Sequence, residues 1–152
     1  MTPRALPLCL VALAGCGGDD GPTPPRSTPS PSPEAVVRGW AADMRRSDIV
    51  AATARFAVPA IVANGTPEIR LETRAQVAVF NEQLPCGGRV VRTERRGRFV
   101  VATFVLVDRP RSKCDGPGGR AKAAFEVRDG KIVRWLRVPM EGEPEPPPGD
   151  VV

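Results

Sequence analysis

Apolar residues repeat at helical spacing along the first half of the chain and alternate along the second. Val36, Val37, Trp40, Ala41 and Met44 form one stripe of a helix. Ser32 suits the cap before it, Pro33 the first helical position, and Glu34 the positive end of the dipole. Gly39 sits inside this pattern at a cost of about 1 kcal/mol relative to alanine. A second, short helix follows Asp48, with Ile49, Ala52 and Phe56 on one side, and Pro59 is expected to end it. A hairpin comes next, with a strand at Ala60–Ala63, a turn at Asn64-Gly65 and a strand near Ile69–Leu71. Pro67 marks that hairpin as a sheet edge. Thr73 and Gln76 have capping-box spacing ahead of a third helix. That helix carries Val77, Phe80 and Leu84 on one face and stops at Pro85.

From Arg89 onward the period is two. Arg89–Arg95 and Arg98–Val107 are expected as strands joined by a turn at Arg96-Gly97. Phe99–Val107 is apolar on both faces, which places it inside a sheet. After a polar loop, Asp108–Gly119, a last hairpin pairs Arg120–Val127 with Lys131–Val138 around Asp129-Gly130. Two registers compete there. A two-residue turn sets Phe125 opposite Arg134, among Val127, Ile132 and Leu136. A turn with a Gly130 bulge sets Phe125 opposite Val133 and Ala123 opposite Trp135. The second is preferred, because it makes one face uniformly apolar.

The two ends of the chain read differently from this middle. Arg4 followed by the apolar stretch Ala5–Ala14 has the form of an export signal. That stretch is too short to span a bilayer as a helix, which needs about 20 apolar residues. Leu13-Ala14-Gly15-Cys16 resembles the lipobox of bacterial prolipoproteins. The resemblance implies removal of Met1–Gly15 and attachment of diacylglycerol to Cys16. The mature protein is then lipid-anchored to the cell membrane on its extracytoplasmic side. Residues 16–31 form the lipidated cysteine and a Pro/Ser/Thr-rich tether, reaching about 45 Å if extended. The folded domain is expected over 32–140, and a Glu/Pro/Gly-rich tail over 141–152 is expected to lack structure.

Four cysteines are present. Cys9 leaves with the signal and Cys16 carries lipid, so Cys86 and Cys114 remain. In an exported protein this pair reads as a disulfide, which stabilises by a few kcal/mol in the chain-entropy model. With no histidine in the chain, two thiols make a poor metal site. No metal and no cofactor are expected. The net charge of +5 suits anionic lipid or cell-wall polymer.

The order helix, short helix, hairpin, helix, four strands carries a resemblance, as do the segments Arg55–Gly65 and Phe125–Trp135. In these features the chain is similar to the NTF2-like (SnoaL-like) family over nearly all of 32–140. The resemblance implies an α+β cone: three N-terminal helices packed on a curved, mostly antiparallel sheet, with a pocket between them. It also implies dimerisation through the sheet's outer face. Enzymes of the family, among them ketosteroid isomerase, scytalone dehydratase and polyketide cyclases, move protons with Asp, His and Tyr. This chain has neither His nor Tyr. The later strands offer a single acid, Glu126. The expectation is therefore a non-catalytic domain that binds a small apolar or amphiphilic ligand or a protein partner. One alternative is an exported isomerase, cyclase or hydrolase using a lone carboxylate, such as Asp43. Another is a purely structural envelope protein.

Trp40, Phe56, Phe80, Phe125 and Trp135 either line the implied pocket or simply make up the core, with Arg137 near a rim. Arg92, Arg95, Arg96 and Arg98 crowd one hairpin tip. They read as a grip on anionic lipid or polymer, or as a solvated charged tip. No aromatics are interleaved for base stacking, so no nucleic-acid partner is expected. Gly116–Gly119 lacks the Gly-Lys-Ser/Thr ending of a phosphate loop. The lipobox reading makes a direct prediction. A Cys16→Ala chain should leave the membrane fraction for the medium, and its retention in that fraction would contradict lipid anchoring.

Overall fold

The computed structural model describes residues 30–142. The signal segment, Cys16, most of the tether and most of the tail lie outside the described residues. Within them the order is α1 (Pro33–Arg45), α2 (Ile49–Ala54), β1 (Phe56–Ala63), β2 (Ile69–Leu71), α3 (Arg74–Gln83), β3 (Gly87–Arg96), β4 (Phe99–Val107), β5 (Arg120–Arg128) and β6 (Lys131–Val138). The strands form one sheet in the order β2-β1-β6-β5-β4-β3. Only β1 and β6 run parallel; the other neighbours are antiparallel. The sheet curves around the helices. α1 lies across β3 to β6, while α3 packs on α2 and the β1–β2 end.

Each helix starts where its polar residues dictate. The Ser32 hydroxyl accepts from Ala35 N–H, and the Asp48 carboxylate from Ala51 N–H at 2.9 Å. Thr73 and Gln76 form the full capping box. Buried against the sheet are Val36, Val37, Trp40, Ala41 and Met44 of α1. Gly39 has a packing reason: a Cβ there would lie 2.5 Å from the Arg55 guanidinium carbon. Its absence lets Arg55 cross α1 and reach Asp43.

The second helix ends earlier than Pro59. It stops at Ala54, and Phe56 already begins β1, fully buried and paired with Ile132. Tertiary contacts decide this. Ile132 N–H donates to the Arg55 carbonyl at 2.8 Å, and Lys131 Nζ donates to the Ala54 carbonyl at 2.6 Å. Pro59 falls between Phe56 and Ile61, where the β1–β6 ladder is interrupted and no backbone donor is needed. The first hairpin is also wider than a two-residue Asn64-Gly65 turn, since pairing resumes only at Val62 with Ile69. Between them, Pro67 has no N–H to offer. β2 is an edge strand, as Pro67 suggested. The β3–β4 turn is Gly97-Arg98, one residue later than expected, with Gly97 at φ +58°. β4 is paired on both sides.

The last hairpin follows neither expected register. Its tip is a two-residue turn, with Arg128 opposite Lys131 and Val127 opposite Ile132. Both turn residues, Asp129 and Gly130, have positive φ. One residue, Val133, is then left over, so Glu126 faces Arg134 and Phe125 faces Trp135. The reason lies in the burial pattern. Ile132 and Trp135 both pack inward, yet they are an odd number of residues apart. A regular strand would turn one of them to solvent; a bulge keeps both inside. The same shift carries Arg137 to the inner face, opposite Ala123.

Cys86 and Cys114 are joined, with Cα atoms 4.4 Å apart. The bridge ties the start of β3 to the loop after β4. Since Gly87 pairs with Val107, the chain leaving β4 passes beside Cys86.

Candidate functional site

A cavity of about 280 Å³ opens between α1, the α3–β3 segment and one end of the sheet. That volume is at the small end of ligand pockets, which run from about 300 to 1,000 Å³. Trp40 and Met44 of α1, Phe104 of β4 and Trp135 of β6 make its apolar wall. Small side chains leave the space: Ala121 and Ala123 on β5, and Gly87 and Gly88 on β3. Gly88 is needed for this packing, since a Cβ there would lie 2.8 Å from the Phe104 ring. Cys86, beside Gly87, also borders the cavity, so the disulfide braces one wall.

The aromatic rings at and behind this wall pack in edge-to-face or tilted pairs. Trp40 lies 5.3 Å from Phe125, and 6.3 Å from both Phe104 and Trp135. Trp135 touches Phe80 at 5.2 Å, and Phe80 touches Phe56 at 6.1 Å. Of the aromatics singled out in the sequence, Trp40 and Trp135 therefore line the cavity. Phe56, Phe80 and Phe125 are core side chains packed behind them. Phe104, Met44 and Leu106 also line it but were not singled out as pocket residues in the sequence. The apolar run Phe99–Val107 and the Gly87-Gly88 pair were the available signals.

The two indoles differ in one respect. Trp40 Nε1 donates to Asn81 Oδ1 at 3.0 Å, and Asn81, fully buried, in turn donates to Thr53 Oγ1. Trp135 Nε1 is buried with no hydrogen-bond partner among the described residues. The mouth is polar, with Asn64, Asp115, Arg120, Lys122 and Arg137 bordering it.

Asp43 does not face this cavity. It is buried with one oxygen accepting from Arg46 at 2.6 Å and the other from Arg55 at 2.8 Å. Two guanidiniums thus neutralise it, and it fastens α1 to the end of α2. Glu126 points to the opposite side of the sheet from Phe125. It is buried there beneath Arg98, at 3.5 Å, and Arg128. The carboxylate that does border the cavity is Asp115, exposed at the mouth.

The arginine-rich tip is also paired. Arg92 and Arg96 share Glu94, Arg95 reaches Glu34 of α1 at 2.7 Å, and Arg98 meets Glu126. The hydrogen bond from Arg95 holds the Glu34 carboxyl below its usual range. Such exposed pairs contribute little each, but they leave the tip much less basic than its sequence suggests. Cys86, Cys114 and Asp115 gather within 4.8 Å, yet the two sulfurs are bonded to each other and offer no thiolate to a metal.

Comparison with solved structures identifies the architecture. An NTF2-like protein of unknown function from Cytophaga hutchinsonii superposes with a TM-score of 0.57 at 13% identity, over 74% of this chain and 93% of that one. The chain has the NTF2-like fold. A candidate ketosteroid isomerase from Kribbella flavida gives a TM-score of 0.54 at 22% identity, covering 77% of this chain and 83% of that one. A protein from Catenulispora acidiphila with a ketosteroid isomerase-like fold, in complex with trimethylamine, gives 0.55 at 15% identity, covering 74% and 90%. By sequence, no family model and no curated protein matches the chain.

The position of Asp43 gives a test. Asp43→Asn should cost about 1–3 kcal/mol in urea unfolding, because it breaks a buried ion pair whose arginines are partly exposed. Unaltered stability would contradict this placement.

Proposed function

We propose that this is a membrane-anchored, extracytoplasmic domain that binds a small apolar or amphiphilic molecule in the cavity between α1 and the sheet, without catalysing a reaction. The observation that carries this reading is the cavity wall itself: Trp40, Phe104 and Trp135 face an opening framed by alanines and glycines. Such a wall offers apolar contact area and few groups able to move a proton. Neither Asp43 nor Glu126 faces the cavity, so the acids most visible in the sequence serve the scaffold. The trimethylamine complex of the Catenulispora protein adds that this fold accommodates a small molecule elsewhere. Anchoring through Cys16 would hold the domain at the membrane surface, where amphiphiles are concentrated. A second copy on the outer sheet face belongs to the same proposal.

One observation favours a second reading. Asp115 stands at the mouth, and the Kribbella protein is described as a candidate ketosteroid isomerase. A single carboxylate could then act on a substrate held in the cavity, as general base.

Both tryptophans of the chain line the cavity, so its occupancy can be read from intrinsic emission. Titrating the full chain, made lipid-free by Cys16→Ser, with eight-carbon amphiphiles should give a saturable emission change. Ala121→Leu, which fills the cavity from its lip, should weaken it about tenfold or more. If no amphiphile in the set perturbs either indole, the cavity does not bind such molecules.

A further inference from the structure

We infer that the end of the sheet where the tether joins the domain is a docking surface for an anionic lipid bilayer, with the β3–β4 and β5–β6 hairpin tips turned to the headgroups. The inference rests on the membrane-anchored reading and adds which face of the domain meets the membrane.

The two tips lie side by side. Glu126 receives both Arg98, from the start of β4, and Arg128, from the end of β5. The start of α1 stands at the same end, because Arg95 of β3 reaches Glu34 in its first turn. The chain enters here as well: a Cβ on Gly130, in the β5–β6 turn, would meet the Pro31 ring at 3.4 Å. Residues 16–31 therefore lead from Cys16 to this end of the domain. The cavity is bordered by the opposite strand ends, with Gly87 and Gly88 of β3, Leu106 of β4 and Arg120 of β5, so docking leaves it uncovered.

Pairing reduces the charge of this end without cancelling it. Arg92, Arg95, Arg96, Arg98 and Arg128 share three acids, Glu34, Glu94 and Glu126. Lys131 donates to the neutral Ala54 carbonyl and Arg38 to the Thr93 hydroxyl, while Asp129 adds one acid in the turn. Among the described residues, the tips and these partners thus set seven cations against four acids. The five paired arginine side chains are between 60% and 73% exposed. A guanidinium carries five N–H donors, and the ion pairs of Arg92, Arg96 and Arg98 engage one nitrogen each. A lipid phosphate can therefore bind beside the glutamate instead of displacing it. Cations also gather at the opposite end, so charge alone does not choose the face; the entry point of the tether does. A lipid chain and a basic patch together hold a protein where one signal alone is marginal.

The test removes equal charge from the two ends. The lipid-free full chain is sedimented with vesicles of phosphatidylglycerol mixed with phosphatidylcholine, and with vesicles of phosphatidylcholine alone. The mixed vesicles should carry it down, and added salt should release it. Arg96→Gln with Lys131→Gln, one residue from each tip, should weaken that binding about tenfold, the scale expected of two basic residues at an anionic surface. Arg92→Gln with Arg96→Gln should give a similar loss without touching the bond from Lys131 to α2. Arg111→Gln with Lys113→Gln takes the same charge from the loop at the opposite end and should change binding by less than about twofold. All five substituted residues are exposed. Equal losses from tip and loop pairs, or a larger loss from the loop pair, would overturn this face as the docking surface. Equal binding to both kinds of vesicle, or to neither, would overturn the anionic bilayer as partner, as would capture by soluble polyphosphate in place of the vesicles. Because this chain carries no lipid, none of these outcomes bears on the anchor, which the Cys16→Ala fractionation decides separately.

Discussion

The fold turns on Trp40. It sits near the middle of α1, and its ring is held between Phe104, Phe125 and Trp135 of three successive strands, β4, β5 and β6. Its indole N–H reaches away from the sheet to Asn81 of α3. One side chain therefore fixes the angle of α1 on the sheet and couples α1 to α3. An aromatic of this size buries about 150–250 Å², which at roughly 25 cal/mol/Å² stabilises by some 4–6 kcal/mol. The ring holds the helix off the sheet at one end, where the opposing strand positions are Ala121 and Ala123. The cavity is the space that results.

The second constraint is the bulge at Val133. It reconciles a tight Asp129-Gly130 turn with two inward side chains at odd spacing, Ile132 and Trp135. The consequence reaches beyond packing. Past the bulge every inward position on β6 is shifted by one, so an indole and a guanidinium follow each other along the cavity side. Without it, Arg134 would face inward and Trp135 outward. The aromatic wall and the basic rim thus depend on the same irregularity.

Much of this was legible in the sequence, for local reasons. The caps at Ser32, Asp48 and Thr73, the inward stripe of α1 and the Cys86–Cys114 pair rest on short-range chemistry or on elimination. The apolar run of β4 was local too, whereas the cone was what the resemblance to the NTF2-like family implied. The misplacements are all tertiary. Phe56 reads as a helix residue until Ile132 and Lys131 capture the backbone beside it. The parallel pairing of β1 with β6 leaves no local mark. The register of the last hairpin depends on which side chains find the core, information that the turn residues do not hold. Of the site, Trp40, Trp135 and Arg137 were visible as residue types in plausible places. Phe56, Phe80 and Phe125 carried the same signal yet belong to the core, because an aromatic on an inward face looks alike in either setting. Asp43 looked like a lone acid only because the guanidiniums that neutralise it include Arg55, on the far side of a helix.

The most direct test of the central claim, a ligand-holding cavity under the Trp40 wedge, is native mass spectrometry of the protein isolated gently from its own host. The account predicts a reproducible added mass, of a size that fits about 280 Å³, that departs on denaturation. A chain that flies at its bare mass, as monomer or dimer, would contradict it.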